Sequence, residues 1–133
     1  MAVVVFDSDV LIAFLSASDA NHEDAVGTVR KSLAPATRRL ISAVNYSEIL
    51  IGPLRAGTHQ RVEEMLVKLG IETIRVDMAL AERAAAVRAK TNLKLPDAYA
   101  LATAIHAEKR GSDDVEIASF DRKVLRARAN LAT

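Results

Sequence analysis

Val3-Val4-Val5-Phe6 is a continuously apolar, largely β-branched run stopped at once by Asp7. Four such residues without polar alternation read as a strand covered on both faces, a pattern of parallel sheets rather than of hairpins. Parallel neighbours need long crossovers, and the sequence supplies them. Helical patterns are expected over 9–15 and 20–33, the second with Ala25, Val29 and Leu33 on one face and Pro35 after it. A strand over 39–42 leads to helices over 45–54, where Gly52-Pro53 should end the pattern, and over 58–69, stopped by Gly70. A third strand, 71–76, is followed by Asp77 as the cap of an Ala-rich helix over 78–90. Pro96-Asp97 opens a helix over 96–110, closed by Gly111, and a strand over 116–120 precedes a last helical segment from Asp121. Asp113 and Asp114 read as turn residues.

The order β-α-α-β-α-α-β-α-α-β-α implies a parallel sheet covered by helices on both faces. At 133 residues and 50% hydrophobic composition, the chain can bury a core of its own but has no room for a second full domain, so one domain spans 1–133. The formal net charge of +1 announces no polyanion partner, which leaves any nucleic-acid contact to local patches. There is no cysteine, which excludes a disulfide scaffold, a thiolate nucleophile and thiolate-ligated metals. The first strand has no basic flank and is far shorter than a bilayer requires, so a cytoplasmic protein without membrane partners is expected.

In sheets of this kind ligands gather at the carboxyl ends of the strands. Asp7 ends the first strand, Glu48 lies early in the helix after the second, Asp97 opens the helix leading into the last strand, and Asp121 follows that strand. Each has a local explanation. Asp7 and Asp121 can cap helices, Glu48 can pair with Asn45 in a capping box, and Asp97 can answer a helix dipole for about 0.3–1 kcal/mol. Gathered together, however, two unit charges about 4 Å apart repel by on the order of 4 kcal/mol at an effective dielectric near 20. Such a cluster calls for a cation, and oxygen ligands select a hard one, Mg²⁺ or Mn²⁺. A hard cation on carboxylates acts on phosphate esters, so the residues point to a metal-dependent phosphodiesterase or phosphatase. His22, His59 and His106 show no metal-ligand spacing.

Four stretches carry a resemblance: Val4-Val5-Phe6-Asp7-Ser8-Asp9-Val10-Leu11-Ile12, Ser42-Ala43-Val44-Asn45-Tyr46-Ser47-Glu48-Ile49, Leu95-Pro96-Asp97-Ala98-Tyr99-Ala100-Leu101-Ala102-Thr103-Ala104, and Ala118-Ser119-Phe120-Asp121. In order and spacing they resemble the PIN domain, and the VapC-type toxin ribonucleases in particular, over nearly the whole chain. The resemblance implies a three-layer α/β/α sandwich and Mg²⁺- or Mn²⁺-dependent cleavage of RNA. By position, Asp7 and Asp97 match the family's metal ligands. Glu48 matches an acid that binds metal directly or through water, Asp121 a fourth acid assigned to a second metal, and Ser119 a hydroxyl that often precedes it. The resemblance also implies a homodimer and an antitoxin protein whose C-terminal segment masks the acidic site. Asp9 departs from the pattern, since Ser or Asn is more usual there, and it is expected to cap rather than to bind metal. The sequence ends soon after Asp121, where relatives often continue into an edge strand, so four or five strands both fit.

Two rival readings share these residues. Asp7-Ser8-Asp9 after an apolar strand also resembles the nucleophile motif of haloacid-dehalogenase-like phosphatases, with Asp7 attacking phosphorus and Asp9 as acid/base. A catalytically inactive PIN-like binding module is the other. For RNA contact the candidates are Arg38, Arg39, Arg122, Lys123, Arg126 and Arg128. With three Phe and two Tyr, an extensive stacking platform for unpaired bases is not expected, which favours a structured RNA read by backbone and shape.

Overall fold

The computed structural model describes residues 2–131. In chain order the elements are β1 (Ala2–Phe6), α1 (Ser8–Leu15), α2 (His22–Ser32), β2 (Thr37–Ser42), α3 (Ala43–Ala56), α4 (His59–Leu69), β3 (Ile71–Ile74), α5 (Met78–Thr91), α6 (Leu95–Lys109), β4 (Asp114–Ala118) and α7 (Arg122–Leu131). This is the expected alternation. The four strands are all parallel, in the order β3-β2-β1-β4. Asn130 and Leu131 continue α7, so no fifth strand forms among the described residues; Ala132 and Thr133 lie outside them.

Strand alternation divides the core. Phe6 and Ile41 face a layer made by α1 to α4, where Val10, Leu11, Val29, Ile49 and Val62 pack. Val3, Val5 and Leu40 face the other way, onto Ala104 and Ala107 of α6. That second layer is completed by Leu80, Leu101 and Val124 from α5, α6 and α7. Small residues line α6, with Ala98, Ala100, Ala102 and Ala104 fully buried, so this helix can lie close to the sheet and carry its first turn to the strand ends.

Several boundaries differ from the sequence reading, and those in α3, β4 and β3 are the most informative. Helix α3 does not stop at Gly52-Pro53 but runs on to Ala56 and ends at Gly57, whose φ of +73° turns the chain, with the Thr58 amide closing on the Pro53 carbonyl at 2.8 Å. Packing of Ile49 and Leu50 against the core outweighs the lost proline donor. β4 is shifted two residues earlier than expected: Asp114 pairs with Ala2 instead of turning, and pairing ends at Ala118 opposite Phe6. β3 stops at Ile74, short of Val76.

The chain leaves β1 to build β2 and β3 on one side and returns to place β4 on the other. The connections out of β1 and β4 therefore diverge, opening a crevice at their carboxyl ends. The Asp7 amide bonds the Ala118 carbonyl at 2.9 Å and holds the two strand ends together there.

Candidate active site

Asp7 is the residue at which β1 becomes α1, and it is 2% exposed. Its Oδ1 accepts the Ser8 amide at 2.9 Å, which caps the helix, and its Oδ2 accepts the Ser119 hydroxyl at 2.8 Å. Burial is the main force raising its pKa to about 7; the charges of Asp9 and Asp97 add to it, and the bonds from Ser119 and Ser8 oppose it. A helix cap and a link to the β4–α7 loop thus coexist in one side chain.

Asp121 follows β4. Its Oδ1 accepts the Lys123 amide at 2.8 Å and caps α7, while its own amide donates to Ser119 Oγ at 3.0 Å. Ser119 joins the two acids through one hydroxyl. Asp97 stands in the first turn of α6, half-buried, with Pro96 at the helix start. Its pKa is raised by burial and then by the charges of Asp121, Glu48 and Asp9, with Lys94 pulling the other way. Asp97 therefore lies within electrostatic reach of Asp7, Glu48 and Asp121, acids from distant stretches of the sequence.

Glu48 is held by Asn45, the partner the sequence suggested but in another geometry, and by Ser8. The helix begins at Ala43, so Glu48 lies in its second turn and does not form the anticipated capping box with Asn45. Ser42 is the cap, accepting the Asn45 amide at 3.0 Å. Asn45 is fully buried and acts as a hub: its Nδ2 lies 3.0 Å from Ser8 Oγ, 3.1 Å from the Pro96 carbonyl and 3.4 Å from Glu48 Oε1. Ser8 donates a hydrogen bond to the same Glu48 oxygen. One amide thereby ties α1, α3 and the start of α6, and with them Glu48 and Asp97. The signal available in the sequence was an Asn three residues after a Ser at a helix start, polar where the core pattern would allow an apolar residue.

Asp9 does not cap its own helix. Its Oδ2 reaches across to accept the Phe120 amide at 3.0 Å, and its Oδ1 is buried without a hydrogen-bond partner among the described residues. Burial raises its pKa, the charge of Asp121 adds to that, and the amides of Phe120 and Val10 oppose it. The expected assignment of Asp9 to a helix cap is corrected to a clasp between α1 and the β4–α7 loop.

Among the described residues no three acidic or histidine side chains close into a ready-made cage around a cation. A hydrated Mg²⁺ needs none, since it commonly keeps several waters and takes one or two carboxylates. Three observations fit a hard cation in the crevice: an all-oxygen donor set, carboxyls whose pKa values are raised by burial and by one another, and the orphaned Asp9 Oδ1.

The PIN domain family model matches residues 4–130. The chain belongs to the PIN-domain family. Among proteins of curated function none matches its sequence. Among solved structures, this PIN domain is similar to a toxin–antitoxin complex from Klebsiella pneumoniae, with a TM-score of 0.72 and 26% identity over 94% of this chain and 90% of that one. It also shares its fold with VapC20 of Mycobacterium tuberculosis, a toxin that cleaves the sarcin-ricin loop, at a TM-score of 0.68 and 20% identity over 95% of each chain. Family membership displaces the phosphatase reading of Asp7-Ser8-Asp9, in which Asp9 would be free for proton transfer; here its Oδ2 holds Phe120.

The remaining residues singled out in the sequence sort cleanly. Asp77 caps α5 by accepting the Leu80 amide at 2.8 Å, as expected. His22 bonds the Ala13 carbonyl at 2.8 Å, a packing role. Three of the six basic candidates for RNA contact are engaged elsewhere: Arg38 pairs with Glu72 at 2.8 Å, Arg39 reaches the carbonyls of Leu69 and Ser32, and Arg128 pairs with Glu108 at 2.7 Å.

Proposed function

We propose that this PIN domain is a metal-dependent endoribonuclease, the toxin of a VapC-type toxin–antitoxin pair. The observation that carries the proposal is the meeting of Asp7, Glu48, Asp97 and Asp121 in one crevice, none of them in an ion pair among the described residues. The structural likeness to a toxin–antitoxin complex supports the biological setting. No described helix is long and apolar enough to cross a membrane.

In this reading Asp7 and Asp97 would hold Mg²⁺ or Mn²⁺, with Glu48 and Asp121 completing the donor set directly or through water. The bound cation supplies positive charge to the phosphoryl group and to the water that attacks it. The chain's own work is placement. Ser119 aligns Asp7 with Asp121, and Asn45 with Ser8 fixes one oxygen of Glu48, leaving its second oxygen without a hydrogen-bond partner among the described residues. Asp9 keeps the Ser119–Asp121 loop against α1.

An antitoxin is the proposed protein partner. A shallow apolar groove of about 320 Å³ beside Glu48, lined by Ile12, Leu15, Ile49 and Pro53, gives its segment a surface next to the acids it would mask. A homodimer is proposed on the family resemblance. Incubation of purified protein with labelled RNA and Mg²⁺ or Mn²⁺ tests the activity. Cleavage that needs the metal and is lost in Asp7→Asn and Asp97→Asn is expected. Absence of cleavage, or equal cleavage by both variants, returns the chain to an inactive PIN-like binding module.

A further inference from the structure

With Arg38, Arg39 and Arg128 engaged in pairs and carbonyl contacts, Arg122, Lys123 and Arg126 remain of the basic candidates, and the last two share a groove with Lys90. The groove, of about 450 Å³, runs between the end of α5 and α7. Lys90 stands on one wall, Lys123 and Arg126 on the other. All three are exposed and none has a salt-bridge partner among the described residues. No described Asp or Glu lines the groove. Lys123 and Arg126, three apart on one helix, present their charges on the same side. Arg88, which could have crowded the opening, is turned onto the Asn92 and Leu93 carbonyls at the end of α5.

The groove is continuous in the chain with the acids. Its α5 wall passes through Lys94 into Leu95-Pro96-Asp97, and its α7 wall begins directly after Asp121. A strand whose scissile phosphate lies between Asp97 and Asp121 can run on towards this groove, whose lining holds only positive and neutral side chains. Three unpaired cations without acidic counter-charges are electrostatically unfavourable among themselves, and a polyanion relieves that while releasing its own counterions. We infer that the α5–α7 groove is a phosphate-binding track that holds the RNA backbone beside the cleavage site, with Lys90, Lys123 and Arg126 as its contacts. The inference rests on the ribonuclease reading above, and it names a surface outside the acidic crevice.

The test uses the full chain carrying Asp97→Asn, so that RNA is bound without being cut, and a fluorescein-labelled oligouridine read by anisotropy across a salt series. Replacing Lys90, Lys123 and Arg126 together by Ala is expected to lower the slope of log affinity against log salt by roughly 2, because each single-strand phosphate that a cation neutralises contributes about 0.7. Lys68→Ala, on the exposed face of α4, leaves the slope where it was. Because the three side chains are exposed, circular dichroism should show the triple variant melting with its parent. An unchanged slope with RNA still bound overturns the track while leaving the ribonuclease reading intact. A triple variant that binds the oligouridine as its parent does, yet no longer binds labelled oligoglutamate, overturns it in favour of a protein-docking surface. If the native chain shows no metal-dependent cleavage, the ribonuclease reading fails first and the track with it.

Discussion

Asp7→Asn should stabilise the metal-free protein at neutral pH while abolishing cleavage. The substitution keeps the shape of the site: the amide oxygen can accept from Ser8, and the NH₂ group can donate to Ser119 Oγ. What it removes is a buried charge. Folded Asp7 titrates at about 7 against an ordinary value of 3.8. That separation corresponds to about 4 kcal/mol of destabilisation once the pH is above both values. Because the folded form holds the proton more tightly than the unfolded chain, stability falls as pH rises, beginning near the unfolded value and completing near the folded one. Between about pH 5 and about pH 8 the native protein should lose about 2.5 kcal/mol relative to Asp7→Asn. Urea unfolding followed by circular dichroism, in EDTA, measures this directly. Saturating Mn²⁺ should restore the native protein by binding only its folded form and should do little for the variant. Stability curves that run parallel from acid to mild alkali in EDTA would refute the ionisation argument, and equal stabilisation of both proteins by Mn²⁺ would refute the ligand assignment.

Asp9→Ala should free the β4–α7 loop, seen as faster hydrogen exchange at the Phe120 amide and a marked fall in cleavage, whereas Asp9→Asn, which can still accept that amide, should retain the protection. Asn45→Ala leaves the Pro96 carbonyl and the Ser8 hydroxyl short of a buried partner and should cost about 1–3 kcal/mol in denaturant unfolding, with cleavage falling further than stability alone explains. Ser119→Ala withdraws the hydroxyl that opposes the rise of Asp7, so carbon-13 titration of the metal-free protein should show the Asp7 carboxyl moving still higher.

Much of the fold was legible because its signals are local. Val3-Val4-Val5-Phe6 could only be a doubly covered strand, and Gly70 and Asp77 stand where a helix must end and begin. The errors fell where tertiary contact overrides a local rule. Pro53 ends nothing because Ile49 and Leu50 anchor α3 on the core, and Asp114 joins β4 because Ala2 offers it a partner. In the site the positions of the four acids and of Ser119 were legible, but the long-range partners of Asn45 and Asp9 were not. Asn45 and Asp9 bond to residues 51 and 111 positions away, separations at which no spacing rule operates. The basic residues illustrate the same limit, since nothing in the composition distinguishes Arg128, bound to Glu108, from Arg126, exposed on the groove.

Capping a helix and facing a cation are compatible roles for one carboxylate, since the cap uses one of its two oxygens. Asp7 caps α1, Asp121 caps α7, and Asp97 lies in the first turn of α6, so three helix N-termini converge on the crevice. Each end carries roughly half a positive charge and favours a nearby carboxylate by about 0.3–1 kcal/mol. That is too little to offset the burial that raises the pKa values of Asp7 and Asp97, to which the neighbouring carboxylates add. The dipoles therefore let the chain fold with its acids assembled, while the uncompensated remainder favours a divalent cation. Replacing the Asp121 cap by Ala should therefore weaken the fold in urea unfolding and the Mn²⁺ affinity in calorimetry together.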